Sequence, residues 1–320
     1  METLTQFFLP VSIYFQNTAA WLITVFKGIT FLGNTEFYLI IMPALFWCID
    51  ATLGMRTGIM LLVSGGLNSI LKFAFQWPRP FWVTTQVKNL AEGTSFGFPS
   101  GHSQNAASVW GLIGSATAKK WFRWIVVLVI FLIGFSRIVL GVHFTHDVLA
   151  GWLVGAILLV IFLKLEQSVA DWFKSQSLPI QILALMLATS LFLIPALLIV
   201  PPFNPPAVPQ AWIEGAGEMI EPYHYEGLLT TSGSFFGLGL GVILLVRSGG
   251  FDASGPVWKR ILRYLVGLIG VLALYLGLGS IFPDQVDLLS YSLRFVRYFL
   301  IGLWIAYGAP KLFGLLKLAD

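Results

Sequence analysis

Apolar residues run along this chain in long blocks, and polar residues mark the gaps between them. Blocks at 37–48, 53–75, 104–118, 124–142, 148–165, 180–200, 228–246, 261–282 and 293–313 each read as a helix crossing a bilayer, for which ~20 apolar residues suffice. Pro78 and Pro80 close the second block, because proline lacks an N–H and clashes with the preceding turn. The 104–118 block is rich in small residues and suits close packing inside a bundle. Residues 4–32 are apolar but interrupted by Pro10, Gln16, Asn17 and Lys27. They read as amphipathic helices lying in the interface, with a tenth crossing as the alternative.

The pattern predicts an all-α, polytopic transmembrane bundle of about nine spans. Three parts follow along the chain: interfacial helices at 1–34, a core of five crossings at 35–177, and a four-helix extension at 178–320. The 180–200 block carries no motif-like polar residue, and Pro201-Pro202-Phe203-Asn204-Pro205-Pro206 is a rigid loop. A polar loop is expected at 81–99, a polar connector at 166–176 and an acidic segment at 211–226.

Composition supports the membrane reading: 57% of the 320 residues are hydrophobic and 11% charged, against about 25% charged in soluble domains. A net charge of +4 gives no reason to expect nucleic acid. Cys48 is the only cysteine, which excludes an intrachain disulfide and a thiolate metal cluster. The start, Met1-Glu2-Thr3, lacks the basic region of a cleavable signal peptide. Twelve of the 19 Lys and Arg residues, including Lys119, Lys120 and Arg123, fall on one side of the nine-span layout. The positive-inside rule makes that side cytoplasmic.

Three polar clusters fall on the other side. Lys72 and Arg79-Pro80 are the first, and a Lys inside a membrane helix is a functional candidate by default. Pro99-Ser100-Gly101-His102 precedes a helix, where exposed N–H groups favour an anion. Ser136-Arg137, His143 and Asp147 are the third. His143 and Asp147, four apart, share a helix face, so the carboxylate can hold one imidazole nitrogen and leave the other free. Singly, each cluster also fits a bland reading: a snorkelling Lys, a Ser cap, a helix end with a satisfied His. Together they supply three cations, a helix N-terminus and two histidines. That equipment matches the oxygens of a phosphoryl group in transfer.

Lys72-x6-Arg79-Pro80, Pro99-Ser100-Gly101-His102 and Ser136-Arg137-x5-His143-x3-Asp147 resemble the motifs of the type 2 phosphatidic acid phosphatase superfamily. That family includes lipid phosphate phosphatases, glucose 6-phosphate phosphatase and vanadium haloperoxidases. No motif residue departs from the pattern, and the core resemblance runs from roughly residue 20 to 166. The resemblance implies His143 as nucleophile through a phosphohistidine, Asp147 as its orienter and His102 as general acid. It implies Lys72, Arg79, Ser100, the Gly101 backbone and Arg137 as holders of the phosphate oxygens, with no metal and no other cofactor. His146 is expected as a spectator at the pocket rim. Glu214, Glu218, Glu221, His224 and Glu226 are expected as a solvated loop rather than a divalent-ion site.

The expected function is metal-independent hydrolysis of a lipid phosphate or pyrophosphate at the extracytoplasmic face of a bacterial or archaeal plasma membrane. Phosphatidic acid-like, phosphatidylglycerophosphate-like and polyprenyl pyrophosphate substrates all fit. A sugar-phosphate phosphatase is the alternative, because Trp77-Pro78-Arg79-Pro80-Phe81-Trp82-Val83 and the nine-span layout are similar to glucose 6-phosphate phosphatase. A non-catalytic lipid carrier or scaffold has no use for His102, His143 and Asp147. The expected partners are the phosphorylated substrate and the bilayer, and the extension has three open uses: a lipid entry path, dimer contacts or plain packing.

Overall fold

The computed structural model describes residues 2–18, 20–91 and 93–319, with the side chains of 2–8 and 20 outside the description. Met1, which enters the signal-peptide reading, also lies outside the described residues. Every regular element among the described residues is a helix. Seven are long and apolar enough to cross a membrane: Ala51–Val83, Lys120–Val139, Thr145–Ser175, Leu178–Ile199, Glu226–Arg247, Val257–Ile281 and Leu288–Leu315. Trp21–Phe31 and Thr35–Ile49 are long and apolar enough only as a pair, bent by 44°, which makes them either a broken span or a re-entrant loop. The remaining expected crossing is a run of helix over 101–115, in three five-residue pieces with a π turn in the middle. At 1.5 Å per residue this run is roughly 22 Å long, short of the ~30 Å hydrocarbon layer.

The polar connector expected at 166–176 is no break. Thr145–Ser175 is one 31-residue helix, because the stretch from Glu166 to Lys174 contains neither Gly nor Pro to stop it. Arg56 grips Glu166 there with two bonds of 2.7 and 2.6 Å.

Two compact units interleave along the chain. The first comprises residues up to Tyr38, Leu67–Phe162 and Ala196–His224. In it the N-terminal helices pack on Lys120–Val139. Phe15 and Phe26 meet Phe135 edge-on at 5.3 and 5.5 Å, and Ser12 Oγ donates to Ile138 O at 2.9 Å. The 101–115 run lies against Thr145–Ser175 at two glycines four residues apart. A Cβ on Gly151 would come within 2.6 Å of Ser100 O, and one on Gly155 within 2.4 Å of Gln104 O. Glycine at both positions is what lets these backbones touch.

The second unit comprises Leu39–Gly66, Leu163–Pro195 and the chain from Tyr225 onward. Its centre is apolar, with Phe46, Trp47, Val271, Ile301 and Phe313 buried together. Glu226–Arg247 and Leu288–Leu303 meet along Gly233 and Gly237, whose added Cβ atoms would lie 2.4 and 2.0 Å from the Phe295 and Phe299 carbonyls. The same small-residue spacing thus sets a close helix contact in each unit.

Candidate active site

All eight residues singled out from the three motifs lie in the first unit. Lys72 sits in the last turn of Ala51–Phe75 and donates to Ser95 Oγ at 2.7 Å. Arg79, extended between two prolines, starts the short helix Pro80–Val83. The residue is 3% exposed. Nε donates to Ser95 O at 2.5 Å and Nη1 to Val142 O at 2.9 Å, while Nη2 reaches Ser95 Oγ at 3.4 Å. One hydroxyl therefore joins the two cations. Gly93 and Gly97 let the loop come this close: a Cβ on Gly93 would meet Arg79 Nη1 at 2.7 Å, and one on Gly97 would meet Pro78 O at 2.6 Å.

Ser100 caps the 101–115 helix, its Oγ accepting from Ser103 N at 3.4 Å. Its own N–H donates to Asp147 O at 2.9 Å, which ties the second motif to the third. Gly101 faces Asn68, whose Nδ2 donates to Pro99 O and Gln104 Oε1 at 3.2 and 2.9 Å. His102 follows in the first turn, with Nε2 2.9 Å from Asn34 Oδ1. Arg137, in the last turn of Lys120–Val139, donates from Nη1 to Thr30 Oγ1 at 2.6 Å.

The chain reverses after Arg137 through Gly141, which has φ +74°. A side chain there would be strained, and its Cβ would meet Lys88 O at 2.6 Å. The turn delivers His143 to the start of Thr145–Ser175. His143 is 2% exposed and Asp147 fully buried. His143 Nδ1 lies 3.3 Å from Asp147 Oδ2, and the same oxygen accepts from Phe144 N at 2.9 Å. Asp147 is thus both a carboxylate reaching back to the helix start and an orienter of the imidazole. His143 Nε2 faces Arg79 Nη1 at 3.4 Å. Burial, and then the Arg79 charge, push the His143 pKa down to about 3 against the pull of Asp147. The ring is therefore neutral at ordinary pH and carries a lone pair on one nitrogen.

His146 was expected at the rim. The structure puts its Nε2 3.1 Å from Asp147 Oδ1, with its ring stacked on Phe144 at 5.2 Å and edge-on to Trp77 at 5.4 Å. Motif spacing gave no sign of Thr30, Asn34, Asn68 or Ser95, each of which touches a motif residue. The first two lie in the N-terminal segment, and Ser95 lies in what reads as featureless polar loop. The acidic segment folds over that loop. Trp212 packs on Trp82 at 5.8 Å, and Tyr223 donates to Gln76 Oε1 at 3.1 Å. Glu221 pairs with His224 at 2.8 Å. Among the described residues no three His, Cys, Asp or Glu side chains gather as metal ligands.

Comparison with known proteins gives matches in both halves of the chain. Residues 53–170 match the model of the PAP2 superfamily, and residues 229–320 match that of the PAP2 superfamily phosphatase, transmembrane extension. Phosphatidylglycerophosphatase B of Bacillus subtilis (strain 168) is 34% identical over 165 residues, covering 47% of this chain and 77% of that protein. Glucose-6-phosphatase 3 of Homo sapiens is 30% identical over 210 residues, covering 55% and 57%. Sphingosine-1-phosphate phosphatase 1 of Rattus norvegicus is 27% identical over 170 residues, covering 51% and 40%. The chain thus spans only about half the length of the last two relatives.

Proposed function

This chain belongs to the PAP2 superfamily of membrane phosphatases, and we propose that it hydrolyses a lipid phosphate or pyrophosphate through a phosphohistidine, without a metal, at the extracytoplasmic face. Lys72, Arg79, Arg137, Ser100 and the Gly101 N–H hold the phosphate oxygens. His143 Nε2 attacks phosphorus, a P–N bond forms, and the bond to the leaving oxygen breaks. His102 gives that oxygen its proton. Water then attacks the phosphohistidine, His102 takes a proton from it, and inorganic phosphate leaves.

One observation carries this reading. Asp147 occupies Nδ1 of His143, and Nε2 turns its lone pair to the buried Arg79 guanidinium 3.4 Å away. A phosphoryl group that displaces this contact would meet a lone pair and a cation at once. The lipid preference rests on sidedness. The basic turn at Lys119-Lys120-Arg123 lies one crossing away from both His102 and His143, so the positive-inside rule puts the site outside the cytoplasm. Phosphorylated lipid head groups are present there, whereas cytoplasmic sugar phosphates need a transporter. The names of the bacterial and rat relatives also describe lipid phosphatases. The 30% identity to glucose-6-phosphatase 3 keeps a sugar phosphate as the second reading.

The test is phosphate release in detergent from phosphatidic acid, phosphatidylglycerophosphate, undecaprenyl pyrophosphate and glucose 6-phosphate. A lipid is expected to give the highest kcat/KM, and His143→Ala to give none. Preference for glucose 6-phosphate overturns the lipid assignment. A tenth of the activity left in His143→Ala overturns the phosphohistidine.

A further inference from the structure

We propose that Asn34 is a positioning residue for His102, holding the acid–base imidazole so that the proton moves at Nδ1. The proposal rests on the phosphatase reading given above. It concerns a residue outside the matched family region, which begins at residue 53.

Asn34 lies in the tight turn between Ala20–Phe31 and Thr35–Ala44. Leu32, Gly33 and Asn34 each donate their N–H three residues back, at 3.1, 2.9 and 3.0 Å, which closes the turn. Asn34 O accepts from Tyr38 N at 3.3 Å, so the residue stands where a helix cap stands. An Asn cap ordinarily turns its side chain onto the N–H groups of its own helix. This one instead points at His102, with Oδ1 2.9 Å from Nε2. The preceding glycine makes room for the ring: a Cβ on Gly33 would lie 2.7 Å from His102 Cδ2. One turn earlier, Thr30 holds Arg137 at 2.6 Å. The end of one N-terminal helix thus touches two of the three motifs.

The chemistry follows from what Asn34 is not. His143 has a carboxylate partner, which suits a ring that becomes cationic when it takes on the phosphoryl group. His102 has a neutral amide. The charged groups that act on His102 are Arg137, Lys72 and Arg79, with His143 beside them and no carboxylate among them. An amide oxygen that accepts from Nε2–H fixes the ring without a negative charge to hold the second proton: the imidazolium gives its Nδ1 proton to the leaving oxygen, and the neutral ring, keeping Nε2–H, then takes a proton from water at Nδ1. A carboxylate at this position would hold the proton back.

Three measurements test this in the full chain. Asn34→Ala is expected to lower kcat/KM, which reports the transfer to His143 and not the shared hydrolysis that follows, on an alkyl phosphate by about ten- to a hundredfold, a part of the 10²–10⁴ that acid–base catalysis supplies. On p-nitrophenyl phosphate the loss should be smaller, because that leaving group departs without a proton. Asn34→Asp, close to isosteric and so the safer variant for folding, should move the pH–rate profile upward by about one unit. In the His102→Ala background, Asn34→Ala should cost nothing further, since both changes remove one function. Equal losses on both esters, an unmoved profile in Asn34→Asp, or additive losses in the double variant would overturn the role of Asn34. None of these results touches the nucleophile, whose failure would show separately as activity in His143→Ala.

Discussion

Asp147→Asn isolates the orienting carboxylate while keeping its shape. In the structure Oδ2 serves both His143 Nδ1, at 3.3 Å, and Phe144 N, at 2.9 Å. An Asn oxygen in that place keeps both contacts as neutral hydrogen bonds, and its NH₂ then faces His146 in place of Oδ1. What is lost is charge. As His143 Nε2 bonds to phosphorus, positive charge grows on the ring beside a buried carboxylate. Coulomb attraction at 3.3 Å is about 5 kcal/mol at an effective dielectric of 20. The change from a charge-assisted to a neutral hydrogen bond sets a floor of about 1–2 kcal/mol. A loss of about 2–4 kcal/mol lies between, and at 1.4 kcal/mol per tenfold it lowers kcat by roughly 30- to 1000-fold. KM should stay within about threefold, because Asp147 touches no phosphate oxygen in the proposed complex. The assay is steady-state phosphate release in detergent, with His143→Ala as the zero. A kcat within threefold of wild type would refute the orienting role. Activity indistinguishable from His143→Ala would show that Asp147 does more than orient.

Activity should survive excess chelator, and vanadate should inhibit because it adopts the five-coordinate geometry of phosphoryl transfer; loss in chelator restored by magnesium would sink the metal-free reading. The buried His143 also makes stability depend on pH. Its pKa is about 3 in the fold and ~6.5 when unfolded, so the unfolded chain binds the extra proton between those values and stability falls as pH drops below 6.5. The melting temperature of the wild type should therefore fall more between pH 7 and 4.5 than that of His143→Gln, and equal falls would refute this. For sidedness, a cysteine at Thr94 in a Cys48→Ser background should react with an impermeant reagent in intact cells and one at Lys120 should not; the reverse would overturn both the topology and the substrate ranking.

The helical class and the motif residues were legible because both are local. Long apolar blocks announce spans, and Lys72 with Arg79, Ser100 with His102, and His143 with Asp147 are each separated by a few residues. What was not legible depends on chain segments far apart. Asn34 reaches His102 across 68 positions, and Thr30 reaches Arg137 across 107. No period or spacing encodes such contacts, and in an apolar segment a lone Asn or Thr reads as a cap. Ser95 is similar: among Gly93, Thr94 and Gly97 it looks like loop filler, yet it accepts from both Lys72 and Arg79. Gly151 and Gly155 show the reverse case. Their four-residue spacing was visible, but only the partner helix gives it meaning.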